Sequence, residues 1–247
     1  MFTTEERSSI RDGILAIAKA DTRTTAGAMI GSTAGGAEDG WSDIDITFGI
    51  AEGNELDAVL SDWTEEIDRE FGVVHYWDLP AYSSIYRVFL LRSGMEVDIS
   101  VTPQPDFGAR GPRFNILFGD YRQYDPPAKP NPQYIIGLGW HNVRHIRSCI
   151  ERGKAWQAEY WIDSLRDQTF ALMCLRLGEP TTYRHGVHNL PAELTDPLKE
   201  TLARSLDEPE LGRALIASTN CFLNEIREWD SSLAERLSPT LKQFSGQ

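Results

Sequence analysis

The 247-residue chain has no apolar run long enough to cross a bilayer. Its first residues, MFTTEERSSI, lack the charged-then-apolar pattern of a secretory leader, so a cytoplasmic location is expected. Cysteine is scarce. Cys149, Cys174 and Cys221 are odd in number, widely spaced and free of any C-x-x-C, which excludes a disulfide scaffold and predicts buried free thiols. His141 and His145 stand four apart on one helical face without an accompanying Glu-x-x-His or further ligand, so packing accounts for them better than zinc. Basic residues are few: 24 Lys and Arg against 37 Asp and Glu leave a formal charge of −13. That balance opposes long nucleic acids as partners, because their affinity comes from phosphate neutralisation. It favours a cationic partner instead. No internal repeat or low-complexity run is present. What the chain does have is a hydrophobic fraction of 41%, enough to build a core in one large domain or two small ones.

Periodicity divides the chain into two textures. Residues 4–20 predict an amphipathic helix capped by Thr4, with Ile10, Ile14 and Ile17 on one face. Strands are predicted at Gly27–Ile30, Ile44–Ile50, Val73–Leu79, Ser84–Leu91 and Met95–Val101, with a helix capped by Asn54 running to Phe71 and stopped by Gly72. That order implies a mixed sheet with flanking helices. Pro103, Pro105, Pro112, Pro126, Pro127, Pro130 and Pro132 then break regular structure. Within that proline-rich stretch, Phe114–Gly119 is expected to be a short helix. Beyond Pro132 the pattern is helical: a helix through Ile135–Ile150, another over Trp156–Leu177, then Glu193–Leu206, Glu210–Trp229 and a tail from Leu233 to Phe244. The fold class is therefore α+β: a mixed-sheet domain at 1–112, a proline-rich connector at 113–131 and a helical bundle at 132–247.

Residues 28–50 carry the chemistry. Ala28-Met29-Ile30 leads into Gly31-Ser32, a glycine-rich loop follows (Gly35, Gly36, Gly40), and Asp43-Ile44-Asp45-Ile46 opens the next apolar run. Glycines let the backbone come close to a ligand. Asp43 and Asp45, two apart at a strand's start, project from one face, where their carboxylates repel unless a cation lies between them. Hard oxygens of this kind suit Mg²⁺. A further carboxylate stands in an alternating segment, at Asp98 of Glu96-Val97-Asp98-Ile99.

A Gly-Ser turn, an Asp-x-Asp that begins eleven residues after Ser32, and a later strand carboxylate resemble the signature of the nucleotidyltransferase superfamily. The resemblance is clearest over 27–101. It implies that Gly31 and Ser32 hold the terminal phosphates of a nucleoside triphosphate and that Asp43, Asp45 and Asp98 bind two Mg²⁺ ions. A sheet domain followed by a helical half is similar to the antibiotic adenylyltransferases, which act on aminoglycosides and lincosamides. That looser resemblance covers 113–191. Arg166 and Tyr183-Arg184-His185-Gly186…Leu190-Pro191 look like its arginine-bearing helix and basic segment, which implies Arg184 as a triphosphate contact. There is one departure. The family's glutamate base falls, on the nearest match, at Asn115, and an amide cannot take a proton. Asp98 becomes the first candidate for the base and Glu159 the second.

Glu159 sits in an aromatic segment, Trp156 to Trp161, suited to a cationic substrate, and Asp163 is a second carboxylate there. The expected activity is thus Mg²⁺-dependent transfer of AMP, or another nucleoside monophosphate, to a hydroxyl of a small amine-bearing acceptor. A protein-modifying adenylyltransferase shares that chemistry. A nucleotide-binding regulatory or antitoxin-like module without turnover is the contrasting reading.

Overall fold

A computed structural model describes residues 2–34 and 39–246, without the side chains of Ser32 and Thr33. The chain divides into two compact units, Met1–Pro127 and Ala128–Gln247. It is an α+β protein, with a mixed sheet first and helices after it.

In the first unit, helix α1 (Thr4–Ala20) is capped by Thr3, not Thr4. The Thr3 hydroxyl accepts from the Glu6 amide at 3.1 Å while the Glu6 carboxylate accepts from the Thr3 amide at 2.8 Å, a reciprocal capping box. Strand β1 (Thr24–Ile30) begins three residues earlier than its apolar run suggests, because Thr24 pairs with the last residue of the neighbouring strand. A single helical turn, α2 (Gly31–Ala34), precedes β2 (Ile44–Ile50). Helix α3 (Leu56–Phe71) follows. Asn54 does not cap it; its amide donates to the Ala51 carbonyl at 2.9 Å, and Gly72 closes the other end. Strands β3 (Val73–Ala81), β4 (Ser84–Leu91) and β5 (Glu96–Pro103) complete the run.

The predicted short helix at Phe114–Gly119 is instead a strand. After the two-residue β6 (Gly108–Ala109) comes β7 (Phe114–Phe118), which pairs antiparallel with β1. Its alternation of half-buried Phe114, Ile116 and Phe118 with exposed Asn115 and Leu117 is a two-residue period, the mark of an edge strand. A two-residue β8 (Arg122–Gln123) pairs with β6. The six-stranded sheet runs β3-β4-β5-β2-β1-β7, and β2–β5 is its one parallel pair among the described residues. One face is apolar: Met29, Ile44, Ile46, Phe48, Val97, Ile99 and Val101 pack in one core with Ile14 of α1 and with Leu60, Trp63 and Ile67 of α3. Since successive side chains alternate, the other face receives Asp45, Thr47, Asp98, Ser100 and Thr102.

The second unit is helical. Helices α4 (Pro132–Glu151) and α5 (Ala155–Leu177) bury one core with α7 (Glu208–Trp229) and α8 (Ser231–Ser245). Gly139 of α4 is required by close packing: a Cβ there would lie 2.1 Å from the Phe222 ring. The expected helix at Glu193–Leu206 is only a turn, α6 (Ala192–Thr195), followed by a 3-10 segment to Thr201, where Pro197 cannot donate to a helical ladder. Cys149 and Cys174 are buried free thiols, while Cys221 is half-buried and free. No helix among the described residues is long and apolar enough to cross a membrane.

Candidate active site

Strand register builds the site. Asp45 of β2 and Asp98 of β5 are direct partners in the parallel ladder, so both carboxyls leave the same face of the sheet. Asp43 and Glu96, two residues earlier on their own segments, keep that facing. Carboxylate oxygens of Asp43, Glu96 and Asp98 lie within 4.8 Å of one another. Asp45 adjoins them and feels all three charges. Burial, and then the neighbouring charges of Asp43, Asp98 and Glu96, push the Asp45 carboxyl up to about 7. Asp98 is raised to about 6, by burial first and then by Glu96 and Asp43. Its Oδ1 is buried and has no hydrogen-bond partner.

The turn after β1 is fitted to these carboxyls. Gly31 has φ +69°, and a Cβ on it would come within 2.0 Å of Asp45 Oδ2, so glycine is needed twice over. Ser32 lies in that turn, but its side chain is outside the described residues, as are Gly35 and Gly36. The far end of the loop is tied down. Arg7, buried on α1, donates to the carbonyls of Asp39 and Asp43, the latter at 3.4 Å. Asp39 accepts from the Trp41 amide at 2.9 Å and from Ser42 Oγ at 3.1 Å, closing a polar turn just before β2.

Of the residues expected from sequence, Gly31, Asp43, Asp45 and Asp98 therefore meet on one face of the first unit. Glu96 joins them unannounced. Its signal was present, since Glu96-Val97-Asp98 sets two carboxylates on one side of a strand. Arg113, also missed, is near enough to Asp45 for its positive charge to act on that carboxyl. Asn115, by contrast, stands opposite Met29, which itself stands opposite Ile46. That register turns Asn115 toward the helix-covered face, away from the carboxyls.

No family model matches the chain. It is similar, over 99% of its length and 99% of the other, to an aminoglycoside 6-adenyltransferase from Bacillus subtilis, at 13% identity and a TM-score of 0.44. It is also similar to a chain from the GLD-2/RNP-8 complex, over 91% of this chain and 80% of that one, at 14% identity and a TM-score of 0.31. Likenesses this weak carry no weight for function; the carboxylate geometry does.

Glu159 and Arg184 belong to the second unit. Glu159 is half-buried on α5 between exposed Tyr160 and buried Ala158. Arg184 has φ +58° and follows Tyr183 at φ +51°, a pair of left-handed non-glycine residues. Its guanidinium donates to Asp163 at 2.7 Å and also to Asp167. Arg166 donates to the same Asp163 oxygen and, at 2.6 Å, to Thr201 Oγ1. Trp161 stacks on His145 with ring centroids 4.9 Å apart, and His145 lies 4.3 Å from His141, so ring packing occupies both histidines.

Proposed function

We propose that the protein is a Mg²⁺-dependent nucleotidyltransferase that moves a nucleoside monophosphate, AMP first among them, from a nucleoside triphosphate to a hydroxyl of a small acceptor. The observation that carries this reading is the meeting of Asp43, Glu96 and Asp98 oxygens within 4.8 Å, beside Asp45 and a turn that only glycine fits. Carboxylates so crowded repel one another, and a purely structural role would give nothing to offset that cost. The donor set suits Mg²⁺: hard oxygens from strands, one of them the buried, unpartnered Oδ1 of Asp98. On this reading Asp43, Asp45 and Asp98 hold two ions, with Glu96 as a further ligand. Bound Mg²⁺ would compensate charge on the triphosphate and on the entering and leaving oxygens.

The chain's own groups supply the rest. The Gly31 turn lets phosphate oxygens approach the backbone, and Ser32 is assigned to the β- and γ-phosphates. Arg7 keeps the Asp43 end of the loop in place through its carbonyl contacts. Asp98 takes the proton of the acceptor hydroxyl as its oxygen attacks the α-phosphorus and pyrophosphate departs. Asp98 is preferred to Glu159 as the base because it lies among the other carboxyls. Arg184, held by Asp163 and Asp167, is assigned as a cation for the triphosphate, where developing charge needs compensation. Those pairings bear on the acceptor as well. An aminoglycoside or lincosamide would meet Asp163 and Asp167 already paired with arginine.

The experiment is a transfer assay read by mass spectrometry, with Mg²⁺, the four nucleoside triphosphates and a whole-cell metabolite extract. The expected product is heavier than its acceptor by one nucleoside monophosphate and is absent with Asp43→Asn or Asp98→Asn. Undiminished transfer by both variants would sink the mechanism.

A further inference from the structure

The carboxylate face continues into a second subsite. Beyond the Asp45–Asp98 row, the next same-face row across the sheet is Thr47, Ser100 and Tyr86, partners in the β2–β5 and β5–β4 ladders. The row after that holds Thr102 of β5 and Ser84 of β4, whose hydroxyls are hydrogen-bonded at 2.8 Å. Each row lies roughly 7 Å further along the strands. Over these rows lies a groove of about 180 Å³, lined by Thr47, Ser84, Tyr86, Thr102, Arg110 and Arg113, with Asp106 as its acidic lining residue.

Two features set this groove apart from an ordinary crevice. Ser100 is 2% exposed, and its Oγ has no hydrogen-bond partner, although it stands between Thr47 and Tyr86, both of which line the groove. A buried hydroxyl left unpaired is costly unless a ligand or water meets it. The second feature is charge. In a chain of net charge −13, the groove holds two guanidinium groups against one carboxylate. Arg110 is held over Tyr124 at 4.2 Å and Tyr82 at 5.1 Å, contacts that fix its place without neutralising it. Arg113 is exposed, lines the groove and extends its positive charge toward Asp45.

We propose that this groove receives the acceptor, and that the acceptor is a hydroxylated oxyanion: a sugar-sized molecule bearing a phosphate or a carboxylate, and not a polyamine. The inference rests on the nucleotidyl-transfer reading. The hydroxyl rows exchange hydrogen bonds with the acceptor's hydroxyls, Arg110 and Arg113 bind its anionic group, and one hydroxyl reaches the carboxylate row. That oxygen forms a bond to the α-phosphorus of the nucleoside triphosphate. The bond from the α-phosphorus to the bridging oxygen breaks, pyrophosphate leaves with the electron pair, and the hydroxyl proton passes to Asp98.

Four probes on one sugar frame test this: glucose 6-phosphate, glucuronate, glucose and glucosamine. Binding is measured by calorimetry without nucleotide, and transfer by product mass with nucleoside triphosphate and Mg²⁺. The expected result is binding of one or both anions, at least tenfold tighter than glucose or glucosamine, and weakened about tenfold by Arg113→Gln. Preference for the phosphate or for the carboxylate identifies the oxyanion. Ser100→Ala is expected to weaken binding of the same probe while leaving the melting temperature within a few degrees. Equal binding of all four probes, tighter binding of glucosamine, or anion binding indifferent to Arg113→Gln would overturn the proposal. Anion binding that depends on Arg113, without transfer to any acceptor, would count against the nucleotidyltransferase reading and leave the anion subsite standing.

Discussion

Asp45 faces Asp98 directly across the parallel β2–β5 ladder, two carboxyls on neighbouring strands of one sheet. Neighbouring strands are about 4.8 Å apart, so the backbone itself holds these groups closer than their charges prefer. Asp43 and Glu96 gather beside that pair, burial followed by these neighbouring charges raises both protonation equilibria, and Asp45 leaves Gly31 no room for a side chain.

Burial of Asp45 among these charges should make stability depend on pH in the absence of metal. Asp45 moves from an ordinary 3.8 to about 7, so between those values the folded chain keeps a proton that the unfolded chain has released. The contribution is full below about pH 4 and is lost as pH rises toward 7, with a slope of up to about 1.4 kcal/mol per pH unit for one carboxyl. Asp45→Asn should flatten this slope relative to the unsubstituted chain in urea unfolding curves taken at pH 5, 6 and 7. Millimolar Mg²⁺ should stabilise the unsubstituted chain most at pH 7. A slope unchanged by the substitution would show that Asp45 is not the group responsible.

Gly31→Ala should silence the site without unfolding the protein. The new Cβ would need space now taken by Asp45 Oδ2, 2.0 Å away, at a backbone φ of +69°. Displacing a reacting carboxyl by an ångström costs on the order of 100-fold in rate. Circular dichroism should remain native while turnover falls at least that far; near-normal turnover would mean that the turn does not position Asp45.

Glu96→Gln separates metal binding from catalysis. If Glu96 shares a cation with Asp43 and Asp98, its loss should raise the Mg²⁺ concentration for half-maximal activity by about tenfold, with a smaller change at saturating Mg²⁺. An unchanged Mg²⁺ titration would remove Glu96 from the ligand set.

In the second unit, Arg176→Met should be severely destabilising. Arg176 holds both oxygens of Glu225, at 2.8 and 2.9 Å, and Glu225 is only 2% exposed. Leaving that carboxylate unpaired should cost about 3–5 kcal/mol in denaturant unfolding. Adding Glu225→Gln to the same chain should recover part of the loss, because no buried charge is then stranded. A loss under about 1 kcal/mol would show that water replaces the arginine.

Residue order alone determined a good deal here. The two-residue alternation of Glu96-Val97-Asp98-Ile99 and the apolar run after Asp43 mark strands with carboxyls on one face. The apolar stripes of α3, α4 and α7 locate those helices, and the turn at Gly31 announces itself by composition. All of these are local signals, legible because side-chain spacing repeats with the backbone. Other features depended on partners far away in sequence. Phe114–Phe118 reads as a short helix until β1 offers it an edge, and the facing of Asn115 is set only by its register with Met29. Thr24 joins its strand because Ile50 lies across from it. Glu96, Arg7 and Arg113 were visible as letters, but only the sheet and the α1 packing bring them to the carboxyls. Local periodicity specifies which face a residue takes; tertiary pairing decides which faces meet, because strand neighbours are chosen by burial and hydrogen bonding across the whole sheet and not by adjacency in the chain.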